Sequence, residues 1–210
     1  MAREIEDAGA SKIIALDVHN ESIGGYFRIA VFENLRASKN FIDYIKENIG
    51  KENLVIVAPD AGAALRAQNY ANNLKTEMVI IYKKRDYSQP NSLQKMSLVG
   101  EVKGKKAILV DDILDTGGTA IKAMETLKKE GTKEIYFVAS HVLLNGSAEE
   151  KLNKAYEQGI FTKIIGTDAT LVSEDFKRRN KWYEEVSLAK YFAKVIYNIN
   201  KGKSISQLLE

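Results

Sequence analysis

The 210-residue chain has no cysteine. Disulfide scaffolds, thiol nucleophiles and zinc sites built on thiolates are therefore excluded together. Two histidines leave little for a His-rich metal cage, so chemistry has to come from carboxylates, lysines, hydroxyls and the backbone. Proline is also scarce, at two, while 45% of residues are hydrophobic and 28% charged. That balance is the globular average and excludes a disordered or low-complexity chain. No stretch approaches the length of apolar sequence needed to cross a bilayer. The start, MAREIEDAGASK, carries acidic residues and lacks the basic segment and apolar stretch of a secretory signal, so a cytoplasmic protein is expected. Charge of one sign is equally lacking: 31 Lys+Arg against 28 Asp+Glu leaves +3. A surplus this small gives no argument for nucleic acid as a partner and is compatible with phosphorylated metabolites.

What the sequence does have is a series of short, continuous apolar runs: KIIALD (12–17), NLVIVAPD (53–60), MVIIY (78–82), KAILVDD (106–112) and EIYFVAS (134–140). Without polar alternation, such strands are covered on both faces, as in a parallel sheet sandwiched by helices. Amphipathic stretches alternate with them: ASKNFIDYIKENIG, GAALRAQNYANNLK, GTAIKAMETLKKEG, SAEEKLNKAYEQG and VSLAKYFAKVIYNINKG. The predicted fold class is α/β, a doubly wound parallel sheet flanked by helices. One domain is expected to fill residues 35–186. Residues 2–8 read as the last turns of a helix ending at Gly9, so the chain is expected to begin mid-fold.

In open α/β sheets ligands bind at the carboxyl ends of the strands. The residues there are polar: Asp17-Val18-His19, Pro59-Asp60-Ala61-Gly62, Lys83-Lys84-Arg85, Asp111-Asp112 and Ser140-His141. Both histidines are thus expected on one edge. The sharpest signal is VDDILDTGGTAIKA, a strand ending in two carboxylates that turns through Thr116-Gly117-Gly118-Thr119 into a helix. Glycines admit an anion close to the backbone, and helix-start amides with two hydroxyls donate to it, which makes a monophosphate cradle. Asp111 and Asp112 accept hydrogen bonds from neighbouring sugar hydroxyls, so a sugar phosphate satisfies both halves. An isolated TGGT serves equally as a tight strand-to-helix turn. A Walker loop is disfavoured, with no Gly-Lys-Ser/Thr, and the dinucleotide G-x-G-x-x-G spacing is absent.

The run VDD-x-x-DTGGT resembles the phosphoribosyl-diphosphate binding motif of type I phosphoribosyltransferase folds. Further stretches are similar to the ribose-phosphate pyrophosphokinase family: ALDVHNESIGGYF resembles its strand and hairpin with a metal-linked histidine, VIVAPDAGAALRAQNYAN its diphosphate loop and following helix, and IIYKKR the start of its catalytic flexible loop. HVLLNGSAEEKLN and VSLAKYFAKVIYNINKGKSISQLL match in order, so the resemblance covers essentially the whole chain. It implies transfer of the β,γ-diphosphoryl group of ATP to the 1-hydroxyl of ribose 5-phosphate, with Mg2+ as cofactor. Lys83 and Arg85 would be catalytic, following a strand into the loop KKRDYSQPNSLQK, which closes over the donor; KKR alone also reads as a solvated basic loop. Asp111, Asp112, Asp115, Thr116, Gly117, Gly118 and Thr119 would bind ribose 5-phosphate. Asp60, Ala61, Gly62 and Ala63 would form the diphosphate loop, and Asp60 and His19 would help hold magnesium, His19 through a coordinated water. Without the resemblance, a lone His19 reads as a hydrogen-bonded structural residue, and His141 keeps that reading.

Three departures stand out. Ala63 takes the place of a second glycine, where a methyl is expected to crowd a left-handed backbone or the approach of a phosphate. Lys84 stands where arginine is common, keeping charge and losing fork geometry. The family also carries about 100–150 further residues before the position matching Met1, which hold most adenine contacts, so none is assigned. On this expectation residues 1–34 are a remnant of an N-terminal domain and 187–210 a helix returning to it, leaving an apolar face that favours either instability or a homo-oligomer, dimer or hexamer. The competing functions are a non-catalytic phosphoribosyl-binding regulatory relative and a phosphoribosyltransferase; the second needs TGGT but gives Lys83 and His19 no task.

Overall fold

The apolar runs become strands, and their pairing sorts them into two sheets. The computed structural model describes residues 1–84 and 95–209. The chain divides into two compact units, Met1–Lys39 with Leu188–Glu210, and Asn40–Ser187.

The smaller unit opens with helix α1 (Ala2–Asp7), followed by β1 (Lys12–Leu16) and β2 (Val31–Leu35). The two strands are parallel, with Ile13 opposite Phe32 and Leu16 opposite Leu35. The hairpin expected within ALDVHNESIGGYF is not formed, because parallel neighbours need a crossover. A 3-10 helix, Glu21–Tyr26, occupies the connection, and Asn20 caps it by accepting the Ser22 amide at 3.0 Å. The Glu6 carboxylate ties α1 to the approach to β2, accepting the amides of Ala30, Ile29 and Arg28 at 2.7, 2.7 and 2.9 Å. These bonds, Ala30 foremost, hold its pKa below the usual glutamate value. Buried Leu35, Tyr191, Val195 and Ile205 form this unit's core.

The larger unit begins within α2 (Ser38–Asn48), whose Phe41, Ile42 and Ile45 face inward, and continues with β3 (Leu54–Ala58), α3 (Ala64–Leu74) and β4 (Glu77–Lys84). After β5 (Lys95–Val99) come β6 (Lys106–Leu114), α4 (Gly118–Lys129), β7 (Glu134–Val142), α5 (Ala148–Glu157), β8 (Lys163–Thr167), α6 (Glu174–Arg179) and β9 (Tyr183–Val186). The sheet order is β5-β4-β3-β6-β7-β8-β9. All neighbours are parallel except β4 and β5. All five residues of β3 are buried, as a strand with helices on both faces requires.

The expected parallel sheet carries an antiparallel strand at one edge. In β5, Met96 and Leu98 pack on the core while Ser97 and Val99 are exposed, the period-2 alternation of a half-covered edge strand. Gly100, at φ +122°, ends it where any Cβ would come within 2.6 Å of Val79. Near the opposite edge, Trp182 is fully buried, edge-on to Phe161 and Phe176, and donates its indole N–H to Asn153 at 2.7 Å. Pairing the one polar atom of so large a side chain removes the main cost of burying it.

Candidate functional site

β3 and β6 are neighbours, but the chain continues from β3 toward β4 on one side and from β6 toward β7 on the other. Such a reversal parts the loops at the carboxyl ends of the strands and leaves a crevice between them. Two of the segments singled out in the sequence meet there: residues 60–63 after β3, and the acidic pair of β6.

The loop after β3 is shaped by Asp60, whose Oδ1 accepts the Ala63 amide at 3.1 Å as the chain turns into α3. Gly62 lies close beneath that carboxylate, where a Cβ would stand 3.2 Å from Oδ1. Ala61 is exposed. The expected crowding of the backbone at Ala63 does not arise: its φ of −84° and ψ of −1° are right-handed, and its methyl is buried.

Asp111 and Asp112 lie within β6, not after it, because pairing continues through Ile113 with His141 and Leu114 with Val142. Asp112 is 4% exposed and Asp111 partly buried. The Asp112 amide donates to Asp111 Oδ1 at 2.9 Å. Arg66, in the first turn of α3, reaches both: Nη2 donates to Asp112 Oδ2 at 3.0 Å and Nη1 to Asp111 Oδ1 at 3.4 Å. Burial pushes the Asp111 carboxyl up to about 6; the Asp112 charge adds to this and Arg66 opposes it.

Past Leu114 the chain turns through Asp115, Thr116 and Gly117. Gly117, at φ +76°, makes the left-handed step before Gly118 opens α4, and no side chain on it caps the helix. A Cβ at Gly118 would meet nothing within 4 Å, and Thr116 and Thr119 are exposed. First-turn amides without an intrahelical acceptor thus lie beside open space and two hydroxyls, all of them groups that can donate hydrogen bonds. Asp115 is held from outside the turn: Asn145, in the loop after β7, donates to its Oδ1 at 2.7 Å.

Residues 32–177 match the model of the phosphoribosyl transferase domain family. The chain belongs to this family. Ribose-phosphate pyrophosphokinase of Chlorobaculum tepidum is 36% identical over 210 residues, covering 100% of this chain and 62% of the relative. The enzyme of the same name from Aquifex aeolicus is 38% identical over 204 residues, 97% of this chain and 62% of its own. A solved phosphoribosylpyrophosphate synthetase from Mycobacterium smegmatis is 30% identical, with a TM-score of 0.83 over 96% of this chain and 62% of that one. The chain therefore spans less than two thirds of the length of these relatives.

β3 and β6 lie within the matched residues, and the remaining candidates lie on other elements. His19 is exposed after β1, in the smaller sheet, so the two histidines do not share one sheet edge. Its turn is fixed by Asp17, at φ +40°, whose carboxylate accepts the Ala37 amide at 2.9 Å and pairs with Arg36 at 3.5 Å. The Val18 amide adds a bond to Asn34 Oδ1 at 3.1 Å. Lys83 belongs to β4, its backbone opposite Met96, and Lys84 pairs with Lys95. The expected loop thus begins later than Lys83, because the antiparallel partner extends the strand. Arg85 lies outside the described residues.

Arg66 and Asn145 went unnoticed in the sequence. Arg66 stands four residues before buried Tyr70, one helical turn along the same side of α3, and that spacing was its only signal. Among the described residues no group of three or more His, Asp or Glu forms a dedicated metal cage. Magnesium does not require one: it takes one or two carboxylates and leaves other positions to water and substrate phosphate. Asp60, partly exposed at the crevice, suits that use.

Proposed function

We propose that this chain carries out the ribose-phosphate diphosphokinase reaction, passing the diphosphoryl group of ATP to the 1-hydroxyl of ribose 5-phosphate. The products are phosphoribosyl diphosphate and AMP. The observation that carries the reading is the meeting of an acidic pair with a helix start left uncapped by its N-cap residue, at a sheet switch point. The chain is also similar along its whole length to ribose-phosphate pyrophosphokinases.

In this reading the first amides of α4, with the hydroxyls of Thr116 and Thr119, grip the 5-phosphate, and Gly117 and Gly118 let it approach. Asp115 shapes the turn. Asp111 and Asp112 accept hydrogen bonds from adjacent ribose hydroxyls, which fixes the ring and aims the 1-hydroxyl. That oxygen bonds to the β-phosphorus of ATP as the bond from that phosphorus to the bridging α-phosphate oxygen breaks. The electron pair leaves with AMP, and the hydroxyl proton passes to water. Residues 60–63 receive the new diphosphate. Lys83 and Arg85 place positive charge against the transferring group, where it is worth most in the transition state. Magnesium would supply positive charge to the transferring group; in the larger unit Asp60 would hold it directly, and in the smaller unit His19 would act on such an ion only through a coordinated water.

The test is to incubate the protein with magnesium, ATP and ribose 5-phosphate and measure AMP. AMP formed only when ribose 5-phosphate is present is the expected result. Calorimetric binding of ribose 5-phosphate without AMP would reduce the reading to a binding role, and no binding would end it.

A further inference from the structure

The acidic pair cannot hold itself in place. Two carboxylates on consecutive residues, one buried and one partly buried, repel each other and lose hydration together. Among the described residues, a side chain from another element answers this. Arg66 spans both carboxylates through its two terminal nitrogens, and its Nε is buried with no hydrogen-bond partner among the described residues. The guanidinium is therefore committed to the pair through one end only.

We propose that Arg66 is the positioning residue of the sugar site: its two terminal nitrogens clamp Asp111 and Asp112 as a pair of acceptors for neighbouring ribose hydroxyls. This rests on the sugar-phosphate reading of the site. A planar fork fits the task, because it addresses two oxygens on different carboxylates at once, which a point charge does not. Among the described residues, the charged groups acting on Asp111 are Asp112 on its own strand and Arg66 on α3. From β7, neutral Ala139 lies opposite Asp111, and His141 lies opposite Ile113 two residues on. β3 contributes only apolar residues, with Asp60 in the loop beyond it. Among the described residues Arg66 is the cation acting on the Asp111 carboxyl, and it opposes the upward push of burial.

The experiment uses the full chain with Arg66→Gln and Arg66→Lys, following the Asp111 carboxyl by carbon NMR and ribose 5-phosphate binding by calorimetry across pH. Arg66→Gln is expected to raise the Asp111 midpoint by about 1 pH unit and to weaken binding about 3- to 10-fold near pH 6.5. The ligand's own phosphate titrates in the same range, but it does so equally in every variant, so differences between profiles report the protein. Arg66→Lys is expected to keep the midpoint near that of the parent while binding about threefold more weakly, the charge being present and the fork lost. A parent-like midpoint with parent-like affinity in Arg66→Gln overturns the proposal. If that variant does not fold, Arg66→Lys decides, and parent-like affinity there overturns it. If the parent protein binds no ribose 5-phosphate, the sugar-phosphate reading fails, and the Asp111 titration still judges the clamp.

Discussion

Asn145 donates its side-chain amide to Asp115 Oδ1 at 2.7 Å, so the loop after β7 steadies the turn that opens α4. Both residues sit outside the regular elements, and Asp115 is exposed. Removing the bond should loosen the turn without opening the core. Asn145→Ala is expected to weaken ribose 5-phosphate binding about 3- to 10-fold while changing stability by about 1 kcal/mol or less. Calorimetry and thermal melts on the same samples check the two halves. Unchanged affinity would show that Asp115 needs no outside support.

The two glycines of the turn should fail in different ways. Gly117 has a left-handed backbone and a buried position, so Gly117→Ala is expected to cost about 1–2 kcal/mol of stability. Gly118 has open space where a Cβ would go. Gly118→Ala should therefore fold at least as well as the parent, by the helix preference for alanine, yet bind ribose 5-phosphate more weakly because the methyl occupies the anion's approach. Parent-like affinity in Gly118→Ala would move the phosphate elsewhere.

Asp111 links the site to pH. Its folded-state pKa, near 6, lies above the ordinary 3.8, so the folded protein holds a proton that the unfolded chain has released. Stability attributable to this group is full below the lower value and is lost as pH rises through the window between the two. Asp111→Asn should abolish that loss. Its stability relative to the parent is expected to improve by about 1–3 kcal/mol from about pH 4 to about pH 7, measured by denaturant unfolding at each pH. A flat difference would show that burial does not set the carboxyl's midpoint. The same variant should bind ribose 5-phosphate at least tenfold more weakly at neutral pH, a gain in stability taken at the expense of function.

Much of this is legible because strands covered on both faces read as continuous apolar runs. The runs ending at Pro59 and Asp111, and the glycines between Thr116 and Thr119, announced both the sheet and the turn. β5 was not read, because its alternating Met96-Ser97-Leu98-Val99 follows a polar stretch and is short. β9 escaped for a similar reason, since two of its four residues are glutamates. Arg66 was hidden more deeply. A cation on an amphipathic helix looks like solvated surface, and only the packing of α3 beside β6 turns it toward the acids.

Lys83 tests the transfer step apart from binding. Its backbone sits within β4, paired with β5, so replacing the side chain leaves the strand's hydrogen bonds in place. Lys83→Ala is expected to lower AMP formation by about 10²- to 10³-fold, with ribose 5-phosphate affinity unchanged by calorimetry. Loss of binding alongside activity would assign Lys83 to the sugar site instead.

The single tryptophan gives the molecule a built-in optical probe. Trp182 lies sealed among Phe161, Phe176 and Tyr183 in the larger unit, and the smaller unit has no indole at all. Emission excited at the indole band will therefore follow the melting of residues 40–187 alone. Set beside a whole-chain signal such as far-ultraviolet dichroism, it reveals whether the two parts come apart in one step or in sequence.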